Sequence, residues 1–399
     1  MSASATKTGL QQRILLWAEI VLAIGSVAPI LGMPIIVGAL QDGWGYSADY
    51  AGYVTSIDLL GLLAGSITTS ALARHLDWRW YVGGALLLSV TANVLCAPIH
   101  SLVPLCCFRF VAGLGSGATY AASLTLLSRQ AAPVRAFSTL ILLQVIANAG
   151  VLFVFPLLSE RWGPASIFLA IAVVLAVSLA VTPLLPRRDG TAAAPVRAAQ
   201  RRLPRVPLLP ALCLVAVALF YVTIGSYWAY AERMGIEFGI SAQTVHWLLS
   251  AGVILSAAAC VSARWVGHRF GQSRSLLAAL AFLAATLLIH GAFPTAALFV
   301  INLAVLQLCW NFIDIFQLGT LAIVDPSGRA AALVPAAQGA ALAAGPAAAG
   351  FILGLGQGYT AVLLLGGSTS ALAAAAYAIV HGRYRKAAAL ATLSLEQAE

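Results

Sequence analysis

The chain has 399 residues, of which 61% are hydrophobic and 9% are charged, and its formal net charge is +9. An average soluble protein carries about 25% charged residues, so this composition excludes an ordinary soluble domain. Apolar runs of about twenty residues recur along the chain, and each can cross a bilayer core of about 30 Å as a helix. The sequence predicts an all-α membrane protein with twelve transmembrane helices, at 14–39, 48–72, 80–99, 102–128, 135–158, 164–185, 208–231, 242–264, 274–292, 296–323, 330–355 and 359–381.

The basic residues are distributed asymmetrically about these spans. With alternating direction, all but three of the 22 Lys and Arg residues fall on the side of the N-terminus. Arg161 and Arg233 lie on the other side, and Arg109 lies within the membrane. This positive-inside pattern predicts cytoplasmic termini in a multi-pass protein of the bacterial inner membrane. The basic excess is therefore a topology signal, and no nucleic-acid partner is expected.

The segment 187–207 is the long polar connection of the chain and contains six arginines. It predicts a cytoplasmic linker between two units, 1–186 and 208–381, followed by a cytoplasmic tail at 382–399. A repeat at an offset of about 194 residues supports this division. Residues 45–48 (Gly-Tyr-Ser-Ala) recur as residues 239–242 (Gly-Ile-Ser-Ala). The prediction is two pseudo-symmetric six-helix bundles.

Pro133 and Arg135, which follow the fourth predicted helix, recur in the second half as Pro326 and Arg329. Because these positions are equivalent helix boundaries, they support the repeat more strongly than scattered matches of common small residues would.

The six cysteines all lie inside apolar runs without metal-ligand spacing. The chain also has no Gly-x-x-x-x-Gly-Lys motif to hold a nucleotide phosphate. We therefore expect no metal, no cofactor and no enzymatic activity.

The fourth predicted helix opens on Arg109 and carries Gly113, Gly115 and Gly117. A charged side chain at this depth is costly and is usually retained for function or for a pairing. The glycines are expected to clear one helix face so that a neighbouring backbone can approach.

Arg109-x-x-x-Gly113-x-Gly115, with Pro133-x-Arg135 after it, resembles the fourth-helix motif of the major facilitator superfamily. The loop at 70–79 departs from that family's pattern, because Arg74 occupies the acidic position. The resemblance implies a secondary transporter with its substrate between two halves.

Three carboxylates lie within the predicted spans, away from their ends: Glu19, Asp58 and Asp314. Counted from the helix ends, Asp58 and Arg109 lie at similar depths, so we expect them to pair. The pair is either a permanent ion pair or part of proton coupling; if the two residues are apart, Arg109 is free to anchor an organic anion. Glu19 lies near the cytoplasmic edge and is either an interfacial carboxylate or a coupling group.

Asn311, Asp314 and Gln317 are spaced by three on an apolar helix that also carries Trp310. The spacing places the three polar residues on one face, which should point away from lipid. This face is either a cavity wall with a proton site at Asp314 or a set of internal hydrogen bonds.

Gln144 and Asn148 are four residues apart and share a helix face. They either line the substrate cavity or bond a neighbouring helix. Tyr221, at mid-helix with a polar tip, is a further cavity candidate. Tyr230 is expected in the interfacial aromatic belt.

Many exporters of the superfamily carry Gly-Pro-x-x-Gly-Gly in the fifth helix, and this chain does not. Gly345 and Pro346 instead occupy the eleventh helix, either as a kink and packing site or as a gate. The direction of transport therefore stays open from sequence.

The predicted function is a monomeric, proton-coupled secondary active transporter that moves a small organic solute by alternating access, with the direction of transport open. The alternative is a non-transporting or lipid-handling membrane protein, a flippase or a sensor, on the same architecture.

Overall fold

A computed structural model describes residues 2–72, 77–130, 132–186, 208–325 and 330–396. Every regular element in these ranges is helical. The predicted linker 187–207 lies outside the described residues, as do Arg74, Pro326 and Arg329.

The helices follow the apolar runs because a backbone in lipid must satisfy its hydrogen bonds within the segment. Short 3₁₀ turns at Thr182–Leu184 and Ala331–Leu333 accompany them. The α-helices of the described residues are α1 (Ser2–Ser26), α2 (Ala28–Leu31), α3 (Met33–Trp44), α4 (Ala48–Leu72), α5 (Trp78–Cys96), α6 (Leu102–Leu127), α7 (Pro133–Trp162), α8 (Ala165–Ala180), α9 (Leu208–Glu237), α10 (Ala242–Phe270), α11 (Gln272–Ala292), α12 (Ala296–Val324), α13 (Val334–Gly354) and α14 (Gly358–Glu396).

Nine helices in the described part of the chain are long and apolar enough to cross a membrane. They lie at α4, α6, α7, α8 with its 3₁₀ turn, α9, α11, α12, α13 and α14 as far as Arg385. The other predicted spans, 14–39, 80–99 and 242–264, correspond to α1–α3, α5 and α10. Helix α14 continues to Glu396, so the predicted tail begins as an extension of the last helix.

The first predicted span, 14–39, is not a continuous helix. It is interrupted at Val27 and at Gly32, and α2 between these breaks is a single turn. Pro29 and Pro34 lie just after the two breaks. Each proline lacks an N–H and crowds the carbonyl four residues before it, so each favours a kink or a break in the helix at this point.

The three glycines of α6 face two neighbours. A Cβ on Gly113 or Gly117 would overlap carbonyl oxygens of α4, whereas one on Gly115 would overlap the carbonyl oxygen of Ala85 in α5. The expectation of a single cleared face was therefore wrong. Because residues four apart share a helix face and residues two apart do not, Gly115 serves a separate contact.

Among the described residues, three helix pairs make the main contacts between the part of the chain before the segment 187–207 and the part after it. Helix α4 packs against α13, α7 against α10, and α3 against α9. Several of the candidate site residues lie on these helices.

Candidate functional site

Arg109 lies at the centre of a polar group on α4, α5 and α6. Its Nη2 donates to Oδ2 of Asp58 at 2.5 Å, and its Nη1 donates to Oδ1 of Asn93 at 2.7 Å. Asn93 in turn donates to the carbonyl oxygen of Ser89. The structure thus brings Asp58 and Arg109 into direct contact, and adds an amide partner on α5.

The guanidinium of Arg109 is enclosed. The residue is 1% exposed, and its charge lies 5.3 Å from the centre of the Phe168 ring. An arginine whose charge is balanced by a carboxylate and covered by an aromatic ring is not available to a second anion. This geometry removes the basis for the organic-anion alternative.

A narrow cavity lies beside Asp58, with room for about one water molecule. The broken first helix forms one wall with Pro29, Ile30 and Met33, and Arg109 lies at its edge. Oδ1 of Asp58 is buried and accepts no hydrogen bond from the described residues. The cavity therefore offers this oxygen a place for a water molecule or a proton.

Asp314 on α12 pairs with Tyr221 on α9. The Tyr221 hydroxyl donates to Oδ2 of Asp314 at 2.7 Å, while Oδ1 of Asp314 is buried without a partner among the described residues. No described Lys or Arg forms an ion pair with this carboxylate.

Two earlier helices approach this pair. Tyr120 of α6 lies close enough to Tyr221 for an electrostatic interaction, and Gln144 of α7 lies within hydrogen-bonding reach of Tyr120. Trp310 also lies within hydrogen-bonding reach of Tyr221. Side chains from α6, α7, α9 and α12 therefore meet at one polar and aromatic region, which we call the Asp314 region.

Trp228 connects the Asp314 region to the broken first helix. Its ring meets that of Trp310 edge to face, with the centroids 6.2 Å apart. Its Nε1 donates to the carbonyl oxygen of Ile30 at 3.2 Å. Ile30 also lines the Asp58 cavity, so the two groups of intramembrane charges are linked through one tryptophan.

The remaining polar candidates on α7 and α12 have different surroundings. Asn311 donates to the carbonyl oxygen of Ser256 on α10, at 3.5 Å. Gln317 is buried, and neither of its amide atoms has a partner in the described residues. Oδ1 of Asn148 is likewise buried and unpartnered. Asn311 thus makes a helix contact, while the other two keep unused hydrogen-bonding groups.

Glu19 of α1 has its own partner. It is 1% exposed, and its Oε2 accepts a hydrogen bond of 2.7 Å from Gln130, which follows α6. The contact fastens α1 to the end of α6. It favours a structural role for Glu19.

Gly345 and Pro346 lie inside α13 at a helix crossing. A Cβ on Gly345 would meet the backbone of Gly225 and Ser226 on α9. The carbonyl oxygen of Pro346 faces Gly52 of α4. Position 345 therefore packs within the later half of the chain, and position 346 faces the earlier half.

One end of the helix assembly is joined by polar contacts. Arg233 of α9 forms a bidentate pair with Asp42 of α3, at 2.7 and 2.5 Å. Tyr230 donates to the carbonyl oxygen of Ala48 at 2.6 Å and is fully buried. The expectation of Tyr230 in an interfacial belt was therefore wrong, because this part of α9 faces helices.

Sequence reasoning missed several residues of these groups. Asn93 and Tyr120 are polar side chains in the interior of predicted membrane spans. A polar residue in that position needs a partner, and this could have identified both residues from the sequence. The Asp42–Arg233 pair joins residues 191 apart in the chain, and neither residue marks its partner in the sequence. Glu232, whose Oε1 lies 2.6 Å from Nε2 of His246, follows the predicted end of its span because α9 continues to Glu237.

Helices of this length and apolarity, with a few enclosed charges, define the class of this protein, a multi-pass integral membrane protein. The chain belongs to the Major Facilitator Superfamily, whose family model matches residues 20–324.

Individual relatives are distant. The niacin transporter NiaP of Acinetobacter baylyi is 29% identical over 93 residues, which are 23% of this chain and 21% of that protein. The match thus spans about a fifth of that relative's length. An auto-inhibited peptide transporter of the POT family has a TM-score of 0.74 at 13% identity, over 94% of this chain and 97% of the other. The nucleoside transporter NupG has a TM-score of 0.70 at 15% identity, over 93% and 98%. These two likenesses establish the fold.

Proposed function

We propose that this protein is a secondary active transporter that moves a small organic solute by alternating access, coupled to the movement of H⁺. The observation that carries the proposal is the Tyr221–Asp314 pair, which lies where α9 and α12 meet Tyr120 of α6. A carboxyl group enclosed among apolar and aromatic side chains is costly when charged, so it suits a group that binds and releases a proton or a cation.

The proposed architecture has twelve spans in two six-helix halves, 1–186 and 208–381. The segment 187–207 and the tail 382–399 would lie in the cytoplasm with both termini, in a bacterial inner membrane, and the protein would act as a monomer. The asymmetric distribution of Lys and Arg supports this topology. So does the likeness of the helix arrangement to solved transporters over more than nine-tenths of the chain.

The proposed solute site is the Asp314 region together with the two amides that have unused hydrogen-bonding groups, Asn148 and Gln317. Gln144 and Trp310 would supply a hydrogen bond and an aromatic wall. The Asp58–Arg109 pair would hold α4 and α6 together, and the free oxygen of Asp58 would offer a second proton position. A site between two halves suits alternating access, since rocking of one half against the other exposes it to each side in turn.

The contacts that join α9 to the earlier half of the chain near Asp42 and Arg233 support a conformation in which this end of the helix assembly is closed. In the proposed topology this end is extracellular. Opening would break the bidentate pair and the bond from Tyr230 to Ala48. The Asp42 side chain is 68% exposed, so solvent screens the pair to about 0.2–1 kcal/mol, which permits reversible opening.

The test uses the purified full chain in liposomes that contain a pH-sensitive dye. Neutral and charged organic solutes are added one at a time. Each solute that the protein transports should cause proton movement across the liposome membrane, which the dye reports. Asp314→Asn should abolish transport driven by a pH gradient, while solute binding stays detectable by tryptophan fluorescence. Glu160→Gln, at an exposed carboxylate of α7, is the control and should behave as the unmodified protein.

Two outcomes would count against the proposal. Full proton-driven transport by Asp314→Asn would refute the role of that carboxylate. The absence of solute-dependent proton movement across the whole panel would favour a non-transporting or lipid-handling protein.

A further inference from the structure

We infer that the transported solute is an organic cation with a planar apolar body, held by Asp314 and the aromatic rings of the Asp314 region. The inference rests on the proposed transport function and narrows its substrate class. It follows from the charges and ring positions around the site.

The first step is the charge balance. Arg109 is neutralised by Asp58 and covered by Phe168, so this pair presents no net charge to a solute. Asp314 pairs with a neutral hydroxyl, and no described Lys or Arg balances it. The Asp314 region therefore carries a single negative charge when Asp314 is ionised. A solute with a single positive charge would complement it.

The second step is the free oxygen. Tyr221 donates to Oδ2 of Asp314, which fixes the orientation of the carboxylate. Oδ1 is enclosed and has no donor among the described residues. A buried anionic oxygen without a donor is strongly unfavourable, and the N–H or the positive charge of a solute would satisfy it.

The third step is the aromatic wall. Trp310 lies four residues before Asp314 on α12, so the two side chains share a helix face. Trp228 meets Trp310 edge to face, and Tyr221 and Tyr120 lie beside them. Aromatic faces attract cations by about 0.5–2 kcal/mol each, and tryptophan is the strongest of them. The half-buried rings of Trp310 and Tyr120 also provide flat apolar surface for the body of the solute, while the buried Trp228 packs against Trp310.

The same geometry disfavours an anion. An anionic solute at this position would meet the Asp314 carboxylate and the electron-rich faces of two indoles. Arg109 cannot compensate, since its two Nη atoms already donate to Asp58 and Asn93.

Three pyridine compounds of the same ring size provide the test. They are 1-methylnicotinamide, which is a cation, nicotinamide, which is neutral, and nicotinate, which is an anion. Binding of each to the purified full chain is measured by calorimetry, and uptake is measured in liposomes. The cation should bind at least about tenfold more tightly than the neutral compound, as expected for one carboxylate contact and one aromatic face.

Substitutions assign the preference to the site. Asp314→Asn should remove the preference for the cation over nicotinamide, and an unchanged helical circular dichroism spectrum would show that the variant is folded. Asp314→Glu should keep the preference for the cation. Trp310→Leu should weaken cation binding more than nicotinamide binding, and Glu160→Gln should change neither.

The outcomes separate this inference from the transport proposal. Preference for nicotinate, equal affinity for all three compounds, or binding of none of them would overturn the cation inference. In each of these cases proton movement with another solute of the wider panel would leave the transport proposal standing.

Discussion

The indole N–H of Trp228 donates to the carbonyl oxygen of Ile30 across a distance of 3.2 Å. Pro34 lies four residues after Ile30, so this carbonyl lacks the donor that a regular helix would provide. The proline thus removes the usual helical donor to this carbonyl, and a tryptophan 198 residues away donates to it. The bond ties the break in that helix to the aromatic part of the proposed solute site.

Trp228→Phe should destabilise the conformation in which this bond forms. Phenylalanine keeps most of the ring but removes the hydrogen bond to the Ile30 carbonyl, which contributes about 0.5–1.5 kcal/mol. Thermal unfolding of the purified variant in detergent should therefore begin at a lower temperature. A variant as stable as the unmodified protein would show that another donor or a water molecule replaces the indole.

Pro34→Ala offers a matched control for that change. It restores a backbone N–H at position 34, which can satisfy the Ile30 carbonyl within the helix. The loss caused by Trp228→Phe should then be smaller in the Pro34→Ala background. Equal losses in both backgrounds would mean that the indole acts through packing alone.

Asp58 and Arg109 should behave as a coupled pair. Removal of one charge leaves the other buried and unbalanced, so Asp58→Asn and Arg109→Gln should each cost about 3–5 kcal/mol. The double variant should be more stable than either single variant, because it contains no uncompensated charge. Thermal unfolding of all four proteins measures the coupling, and additive losses would contradict it.

Arg109→Lys tests the second partner of the guanidinium. A lysine retains the charge but lacks the planar fork with which Arg109 contacts Asp58 and Asn93 at once. We expect it to recover only part of the stability lost in Arg109→Gln. Full recovery would show that charge alone is required.

Gly113→Ala should separate α6 from α4. The added Cβ would overlap the backbone carbonyl oxygen of Asp58, which cannot move without its helix. Overpacking of this kind typically costs about 1–3 kcal/mol. Gly84→Ala is the control, since Gly84 of α5 is exposed with nothing near its Cβ position. That change should be neutral or stabilise by up to about 1 kcal/mol, because alanine favours a helix. Equal effects at the two sites would contradict the packing argument.

Asp42→Asn and Arg233→Gln should each shift the protein toward opening at the end where α3 meets α9. The Asp42 side chain is 68% exposed, so the pair contributes about 0.2–1 kcal/mol and the open population should rise by up to about fivefold. Spin labels on Ser47→Cys and Gln243→Cys would report the distance across this end. The exchanged pair Asp42→Arg with Arg233→Asp should restore the original distance distribution, and a distribution that is the same in all variants would argue against a latch.

The helix positions were accessible from sequence because an apolar run of membrane-spanning length is a local property. The predicted span 48–72 coincides with α4, and 102–128 ends one residue after α6. The contact between Asp58 and Arg109 was also predictable, since two opposite charges at similar depth in one bundle each need a partner. Asn93 was not, because an amide of that kind fits many neighbours.

The sequence by itself determined the membrane setting, the approximate positions of the apolar helices, and the small set of charges that must be enclosed. It could do so because lipid excludes unpaired backbone groups and charges at every position along the chain. Only the tertiary structure decided which of those groups meet. It placed Tyr120 beside Tyr221, and it brought the indole N–H of Trp228 to the Ile30 carbonyl. It also packed two of the α6 glycines against α4 and the third against α5. These outcomes depend on the rotation and crossing of whole helices, which arise from packing among residues far apart in the chain.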